Sequence, residues 1–140
     1  MTQVVGADIL FSRMNNWYTS KVIKGNQKGR EIGFPTINLD NPSLLKGEKE
    51  GVYLAQVRVR DKNHWGMLYY GPRLVVDETQ TTLEIHLFEF NEELYGQQIQ
   101  FRIYDYIRGV LKFNSFDELK NQLEKDQREA INFIKMVVSA

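Results

Sequence analysis

The sequence predicts a small closed antiparallel β-barrel with one amphipathic helix at its C-terminal end. Apolar and polar residues alternate with period two through most of the middle of the chain, and a helical period replaces this pattern after residue 115. The alternating segments amount to about six short strands, with no alternation of strands and helices. So few strands would leave costly open edges in a sandwich, which favours a closed barrel.

Composition predicts one ordinary globular domain of 140 residues, with 42% hydrophobic and 26% charged residues. Lys plus Arg and Asp plus Glu each number 18, so no net charge attracts nucleic acid or an anionic membrane. The absence of cysteine excludes disulfides and thiol catalysis, and two histidines leave little for zinc, so any metal would be a hard, oxygen-bound ion. Without a long apolar run or a signal-peptide pattern, we expect a cytoplasmic protein.

In the first part of the chain, the sequence predicts two extended segments that are joined by a stretch containing glycines. The pattern over 17–24 predicts a first strand that ends at Gly25. Residues 32–39 predict a second, irregular strand that is interrupted at Pro35. The stretch 40–51 is rich in Gly, Pro, Asn and charge, which predicts a loop.

Regular alternation begins at residue 52 and defines the middle strands. One face of the first of these strands carries Tyr53, Ala55, Val57 and Val59, and a turn over 61–64 leads to a strand over 65–70. In the segment 82–90, one face carries Leu83, Ile85 and Leu87, and the other carries Glu84, His86, Phe88 and Phe90. After a turn over 91–96, the last strand places on one face Ile99, Phe101, Ile103 and Ile107.

A capping box marks the start of the C-terminal helix, because Ser115 is followed three residues later by Glu118. Apolar residues recur behind it at helical spacing: Phe116, Leu119, Leu123, Ala130 and Ile134. We therefore expect a single barrel domain over 17–140, preceded by an N-terminal arm of unknown role over 1–16.

The segment 25–38 is the first candidate for chemistry. Its glycines, Gly25, Gly29 and Gly33, would let backbone N–H groups approach an anion. Thr36 and Asn38 offer a hydroxyl and an amide on one side of an extended segment, and oxygen donors of this kind suit Mg²⁺. The segment matches neither common phosphate-loop pattern, and ordinary turn chemistry explains its glycines as well, so both interpretations remain open.

Glu84 is the second candidate, because a carboxylate in the middle of a strand either faces solvent or lines a site. The mixed aromatic and polar residues on its face, His86, Phe88 and Phe90, favour a pocket wall. His86 by itself is more often a hydrogen-bonded structural residue than an acid or base.

A third candidate is the connection from the last strand to the helix, over residues 106–113. Arg108 and Lys112 could simply flank a loop, and Phe113 could be an apolar contact before the helix. An arginine with apolar neighbours would also suit a planar aromatic ligand.

In this order, the three segments resemble the riboflavin kinase family, whose members phosphorylate riboflavin to FMN. Residues 29–38 are similar to the family motif Gly-Arg-x-Leu/Ile-Gly-Phe-Pro-Thr-Ala/Ile-Asn, and residues 51–53 to Gly-Val/Ile-Tyr. Residues 82–90 and 94–96 resemble the Glu-x-His strand and the Leu/Phe-Tyr-Gly turn, and Asp126 matches a position in the helix.

The resemblance implies a six-stranded antiparallel Greek-key barrel that transfers phosphate from ATP to riboflavin, assisted by Mg²⁺ or another divalent cation. It implies that Glu84 is the catalytic base and that Thr36 and Asn38 position the metal. It further implies ligand-binding residues, which would be Gly25, Gly29, Arg30 and Gly33 at the ATP phosphates, His86 near the nucleotide, and Arg108, Lys112 and Phe113 over the flavin.

Two loops depart from the family pattern. Residues 69–76 stand where bacterial members read Asn-x-Gly-x-x-Pro-Thr-Phe, and Gly109-Val110 replaces a usual Pro or Asp followed by Glu. Two alternatives therefore stay open: a barrel that binds flavin or nucleotide without turnover, and a kinase for another small alcohol.

The expected partners are the small molecules ATP and riboflavin, without nucleic acid or membrane, and we expect a monomer. Bacterial members of the family are commonly fused behind an FMN adenylyltransferase domain, for which 140 residues leave no room. We therefore expect the chain to form FMN and not FAD.

Overall fold

The described residues form six strands and, at the C-terminal end, a long helix. The computed structural model describes residues 16–25, 28–72 and 80–139. The strands are β1 (Tyr18–Ile23), β2 (Ile37–Leu39), β3 (Gly51–Val59), β4 (Lys62–Pro72), β5 (Thr81–Leu87) and β6 (Gln98–Arg108). The described helices are α1 (Lys28–Glu31) and α2 (Phe116–Ser139), with a 3-10 turn at Pro42–Leu45. The predicted arm over 1–16 lies outside the described residues, apart from Asn16.

The strands close into a barrel in the order β1-β2-β5-β4-β3-β6, with β6 paired to β1. All of the pairings are antiparallel. β3, β4 and β5 follow one another, and β6 returns to lie beside β3, which is a Greek-key arrangement. The predicted closed antiparallel barrel with a C-terminal helix is confirmed.

Inward-facing apolar side chains fill the barrel. The predicted inner faces of β3 and β5 are buried there, together with inward residues of the other strands. Leu45 of the 3-10 turn and Leu94 of the β5–β6 connection are also fully buried in this cluster. Each such side chain contributes about 1.5–3 kcal/mol when it leaves water.

A second apolar cluster, here called the outer cluster, lies between the outside of the barrel and α2. Val52, Leu54 and Met67 of the barrel pack there with Phe34 and with Ala130 of α2. This end of β3 is therefore buried on both faces, which explains its continuous apolar run.

The prediction that Phe90 lies on the outer face of β5 is wrong. The strand stops at Leu87, and Glu89 has a φ of 53° in the turn that follows. Phe90 consequently packs against the interior cluster and not beside His86.

The prediction that Ile107 lies on the inner face of β6 is also wrong. The register between β3 and β6 shifts twice, near Val52/Tyr53 and near Leu54/Ala55. Such irregularities change which side chains share a face. Ile107 therefore packs against the outer cluster, whereas Ile103 stays in the interior.

The turn between β3 and β4 is tighter than the sequence predicts. Arg60 and Asp61 both have positive φ, at 46° and 72°, and β4 begins directly at Lys62. A two-residue turn of this kind matches the twist of the strands that it joins.

Helix α2 begins at the predicted capping box. The Glu118 N–H donates to Ser115 Oγ over 3.2 Å, and Glu118 Oε2 accepts from the Asn114 N–H over 2.9 Å. Among the described residues, no helix combines the length and the apolar character needed to cross a bilayer.

An ion pair between β6 and α2 holds the helix on the barrel. Arg108 Nη2 lies 2.8 Å from Asp126 Oδ2, and Arg108 Nε donates to both carboxylate oxygens. Gln122 Nε2 donates to the same carboxylate over 2.8 Å. Asp126 is 1% exposed and the Arg108 side chain 15%, so the pair lies largely out of water.

We predict that Asp126→Ala lowers the free energy of unfolding by about 3–5 kcal/mol, because it leaves the Arg108 guanidinium buried without its carboxylate. Urea unfolding followed by circular dichroism measures this change. Glu129→Ala, on the exposed side of α2, should change it by about 0.5 kcal/mol or less. Equal effects of the two substitutions would contradict a tethering role for the ion pair.

Candidate active site

Strand register places the main candidates in one row across the outside of the barrel. Asn38 of β2 pairs with Glu84 of β5, and Glu84 pairs in turn with Tyr69 of β4. Tyr69 pairs with Val52 of β3, and Val52 with Arg108 of β6. Directly opposed residues share a face. The row therefore runs from Asn38, at the end of the glycine segment, past the Glu84 carboxylate to Arg108, whose ion pair with Asp126 holds α2.

Thr36 and Glu84 are in direct contact. Thr36 Oγ1 donates to Glu84 Oε1 over 3.1 Å, although the two residues are 48 positions apart in the sequence. Asn38 is 8% exposed, and a Cβ added to Gly25 would lie 1.9 Å from its Nδ2. Gly25 thus leaves the space that the Asn38 side chain occupies beside Glu84.

The other glycines of the segment have local structural reasons. The Phe34 N–H donates to the Gly29 carbonyl over 2.7 Å, and a Cβ on Gly29 would lie 2.3 Å from the Phe34 oxygen. Gly33 has a φ of 87°, which favours glycine, at the end of the turn that follows α1. The N–H groups of Ile32, Gly33 and Phe34 all donate within this segment and are not free for a phosphate.

His86 contacts the residue before Thr36. Its Nδ1 lies 2.7 Å from the Pro35 carbonyl oxygen, so Nδ1 carries the proton and donates. The ring packs edge-on against Phe34 and Phe88. Burial lowers the pKa of His86 below its ordinary value of 6.5, and the bond to Pro35 opposes that shift. The imidazole is therefore neutral near pH 7 and supports the Pro35–Thr36 backbone.

Arg108 lies at the far end of the row and is occupied by contacts within the protein. Besides Asp126, its Nη1 donates to the Gly109 carbonyl over 3.0 Å, and its guanidinium lies 5.9 Å from the centre of the Phe113 ring. These contacts orient the loop that follows β6. Lys112 is exposed on this loop, and the structure does not bring it to Thr36 or Glu84 in any described contact.

Tyr69 joins the site although its side chain was not among the candidates chosen from the sequence. It is half-buried between Glu84 and Val52, and its hydroxyl donates to the Pro72 carbonyl. Burial, then the charges of Glu50 and Glu84, raise the pKa of Tyr69 well above its ordinary range, so the phenol stays protonated. In the sequence, Tyr69 is only one residue of an apolar run. The register of β4 with β5 is what shows that it lies beside Glu84.

A groove of about 400 Å³ opens beside Thr36, at the start of β2, where β5 continues past its last pair with β2. Its apolar lining comes from Ile37, Ile85, Leu87 and Phe90. Arg30 lies on its rim, 4.0 Å from Glu93, and both side chains are mostly exposed. The groove thus combines an apolar floor with a polar rim that carries Arg30, Asn91, Glu92 and Glu93, close to Thr36.

Comparison with known proteins identifies the family. The sequence profile of the riboflavin kinase family, described as Flavokinase, matches residues 14–134. The chain belongs to the riboflavin kinase family. The predicted resemblance is confirmed.

Two curated relatives illustrate the match to this family. The chain is 40% identical over 114 residues to the bifunctional riboflavin kinase/FMN adenylyltransferase of Haemophilus influenzae, covering 81% of this chain and 37% of that protein. It is 38% identical over 106 residues to the RNA-binding riboflavin kinase RibR of Bacillus subtilis, covering 75% of this chain and 45% of RibR. The chain therefore spans less than half the length of these relatives.

A solved structure shares the fold. The crystal structure of riboflavin kinase from Trypanosoma brucei superposes with a TM-score of 0.61 at 20% identity, covering 85% of this chain and 79% of that one. At this identity, the likeness supports the riboflavin kinase barrel as an architecture and says nothing of individual side chains.

We predict that His86 makes the protein less stable as the pH falls from about 7.5 to about 5.5. The unfolded chain binds a proton at this histidine more readily than the folded protein, so the free energy of unfolding decreases as the pH falls through 6.5. His86→Asn keeps an N–H donor for Pro35 without a titrating ring, and should remove this component. Urea unfolding at both pH values measures it, with His64→Asn as the control. An unchanged pH dependence in His86→Asn would refute the prediction.

Proposed function

We propose that the protein transfers the γ-phosphoryl group of ATP to the 5′-hydroxyl of riboflavin, forming FMN and ADP. The contact between Thr36 and Glu84 carries this proposal, because it joins the glycine segment to the one carboxylate of the row. Membership of the riboflavin kinase family supports it.

Glu84 acts as the general base. Its carboxylate accepts the proton of the 5′-hydroxyl as that oxygen bonds to the γ-phosphorus, and the bond from this phosphorus to the β–γ bridging oxygen breaks. Phosphoryl transfer depends mainly on alignment and charge neutralisation, so one positioned carboxylate is sufficient. The half-buried position of Glu84 on a barrel strand fixes it for this task.

Thr36 and Asn38 are the residues that would hold Mg²⁺. A hydroxyl and an amide oxygen are hard donors, and Mg²⁺ takes few protein ligands beside phosphate oxygens and water. When bound, the ion neutralises the charge of the phosphates. Asn38 suits this role because Gly25 and the pairing with Glu84 hold its buried side chain at the site.

The nucleotide lies in the groove beside Thr36. The apolar floor formed by Ile37, Ile85 and Phe90 suits the adenine, and Arg30 lies where it would meet the phosphates. Because the N–H groups of Ile32 to Phe34 are already used, Arg30 and the metal supply most of the positive charge. Gly25, Gly29 and Gly33 then shape the segment, and His86 supports it through Pro35.

Riboflavin lies on the other side of Glu84, beside Tyr69, and stops short of Val52, which the outer cluster buries. Its ribityl chain reaches the carboxylate, and its ring system extends toward the loop that follows Arg108 and carries Lys112 and Phe113. Arg108 positions this loop through its bonds to Asp126 and Gly109.

We also propose that residues 17–140 act as a single domain and as a monomer, with ATP and riboflavin and not nucleic acid as partners. Closure of the barrel supports the monomer, because it removes sheet edges that could pair between chains. Balanced charge supports the absence of a nucleic-acid partner. Because ATP is the phosphoryl donor, we place the reaction in the cytoplasm.

The expected effect of Glu84→Gln is a loss of about 10²- to 10⁴-fold in kcat, because an amide takes no proton at neutral pH. The amide oxygen still accepts from Thr36, so the melting temperature should change little. Purified protein with Mg-ATP and riboflavin is assayed for FMN by chromatography, with Glu129→Gln as a matched control. Undiminished turnover in Glu84→Gln would rule against this residue as the base.

Gly25→Ala tests the role of Asn38. The added methyl group would displace the Asn38 side chain, so the Mg²⁺ concentration for half-maximal rate should rise by about tenfold, while the Kd for riboflavin stays within about twofold. Gly47→Ala is the control, since Gly47 has a φ of 96° in open space. It should cost about 1 kcal/mol of stability and leave the Mg²⁺ dependence unchanged. The same Mg²⁺ dependence in both variants would remove Asn38 from the metal site.

A further inference from the structure

The strand that carries the proposed metal-binding residues is short. β2 spans only Ile37–Leu39, with Asn38 at its centre and Thr36 just before it. It has two register pairs with β1 and two with β5. Strands usually run to about five or six residues, so β2 has few ladder bonds to hold its position. The place of Asn38 therefore depends on what else holds this strand.

Asp40 supplies such contacts directly after β2. Its Oδ1 accepts from the Lys21 N–H over 3.0 Å and from the Ser20 hydroxyl over 2.8 Å. The Asp40 N–H in turn donates to the Lys21 carbonyl over 3.0 Å. These three bonds, here called the Asp40 tether, join the end of β2 to β1 across about twenty positions of the sequence.

The Ser20 end of the tether is buried. Ser20 alternates along β1 with Tyr18 and Val22, which both contact the interior cluster, and it is 4% exposed. A buried hydroxyl without a partner is costly, so the Asp40 carboxylate satisfies a group that core packing has already fixed. Bonds to a charged acceptor are also stronger than bonds between neutral groups. The tether thus anchors β2 on the core of the barrel.

Asn38 lies between the Asp40 tether and the contact of Thr36 with Glu84. On one side, the Thr36 hydroxyl holds the segment to β5, and on the other side Asp40 holds it to β1. Asn38 is two residues from each of these holding points. A displacement at either end would move the Asn38 amide away from Glu84 and out of the space that Gly25 leaves.

We propose that Asp40 is a positioning residue for the metal site and fixes β2 so that Thr36 and Asn38 present their oxygens to one ion. This inference rests on the proposed function, which assigns Thr36 and Asn38 to the metal. Asp40 acts through its bonds to β1 and touches neither the ion nor a substrate. Its loss should therefore weaken nucleotide binding only in the presence of the metal and leave riboflavin binding unchanged.

The test uses the full chain with three substitutions: Asp40→Ala, Asp40→Asn and Ser20→Ala. Asp40→Asn removes the charge but keeps an oxygen that accepts from both donors of β1. Glu118→Ala is the matched control, because Glu118 likewise accepts from a backbone N–H, that of Asn114, outside the proposed site.

The main measurement does not depend on turnover. Isothermal titration calorimetry gives the Kd for ADP in Mn²⁺ and in EDTA, since Mn²⁺ binds the same oxygen ligands as Mg²⁺. Quenching of flavin fluorescence gives the Kd for riboflavin. Rates of FMN formation give the Mg²⁺ concentration for half-maximal rate, and melting temperatures identify variants that fail to fold.

We expect Asp40→Ala to raise the Kd for ADP in Mn²⁺ by about fivefold to tenfold and to change it by less than about twofold in EDTA. Asp40→Asn should recover most of this loss, and Ser20→Ala should raise the Kd in Mn²⁺ by about twofold to threefold. The Mg²⁺ concentration for half-maximal rate should rise in the same order, with an unchanged Kd for riboflavin. Glu118→Ala should lower the melting temperature and leave both ADP values unchanged.

Two results would overturn the positioning role. One is a Kd for ADP in Mn²⁺ that stays the same in Asp40→Ala. The other is an equal loss in Asp40→Asn and Asp40→Ala, because the charge of Asp40 would then act on the ion directly. Should Asp40→Ala fail to fold, Ser20→Ala takes its place, and an unchanged Kd in Mn²⁺ overturns the proposal.

The outcomes separate this inference from the proposed function. If the unmodified protein forms FMN but the Kd for ADP in Mn²⁺ does not depend on Asp40, the positioning role is overturned and the kinase stands. If Mn²⁺ strengthens ADP binding in a manner that depends on Asp40 but no FMN forms, the positioning role stands and the kinase fails. If Mn²⁺ does not strengthen ADP binding to the unmodified protein, the proposed metal site and this inference are both overturned.

Discussion

The inward and outward alternation of β5 is the constraint on which the site depends. Leu83, Ile85 and Leu87 fill the barrel, so the strand must place Glu84 on the outside. A shift of one residue would bury this carboxylate in an apolar interior and expose three large side chains. Hydrophobic burial thus fixes the register, and the register sets Glu84 between Asn38 and Tyr69. The position of the proposed base is a consequence of core packing.

Part of the outer surface of the barrel is covered by other elements of the protein. At the end near Val52 and Leu54, α2 and Phe34 bury the strands on their second face, and the Arg108–Asp126 pair fixes the helix there. Removing two charges from water is costly, and well-packed apolar residues often stabilise as much. A bidentate pair with Gln122 as a third partner nevertheless fixes one orientation of the helix and of the loop after Arg108. We infer that geometry, more than stability, is the gain from this pair.

The glycine segment shows how one pattern serves two purposes. Gly29 and Gly33 are required by the turn itself, while Gly25 leaves room for Asn38. The sequence left turn chemistry and ligand binding as alternatives, and in the structure the turn is followed closely by Thr36, whose hydroxyl donates to Glu84. His86 has a related part, since its bond to Pro35 fixes the backbone beside Thr36. Its interpretation as a hydrogen-bonded histidine agrees with this contact.

The sequence alone determined the barrel, the C-terminal helix with its cap at Ser115, and the candidates Thr36, Asn38 and Glu84, because periodicity and short motifs are local properties of the chain. It could not assign Phe90 or Ile107 to the correct face of the sheet. A turn at Glu89 and two register shifts between β3 and β6 reverse the faces that simple alternation of side chains predicts. Nor could it join Tyr69, Gly71 and Val110, or Arg108 and Asp126, since these contacts connect segments that meet only when the barrel closes. Strand order and register are set by the packing of the whole core, and only the tertiary structure decided them.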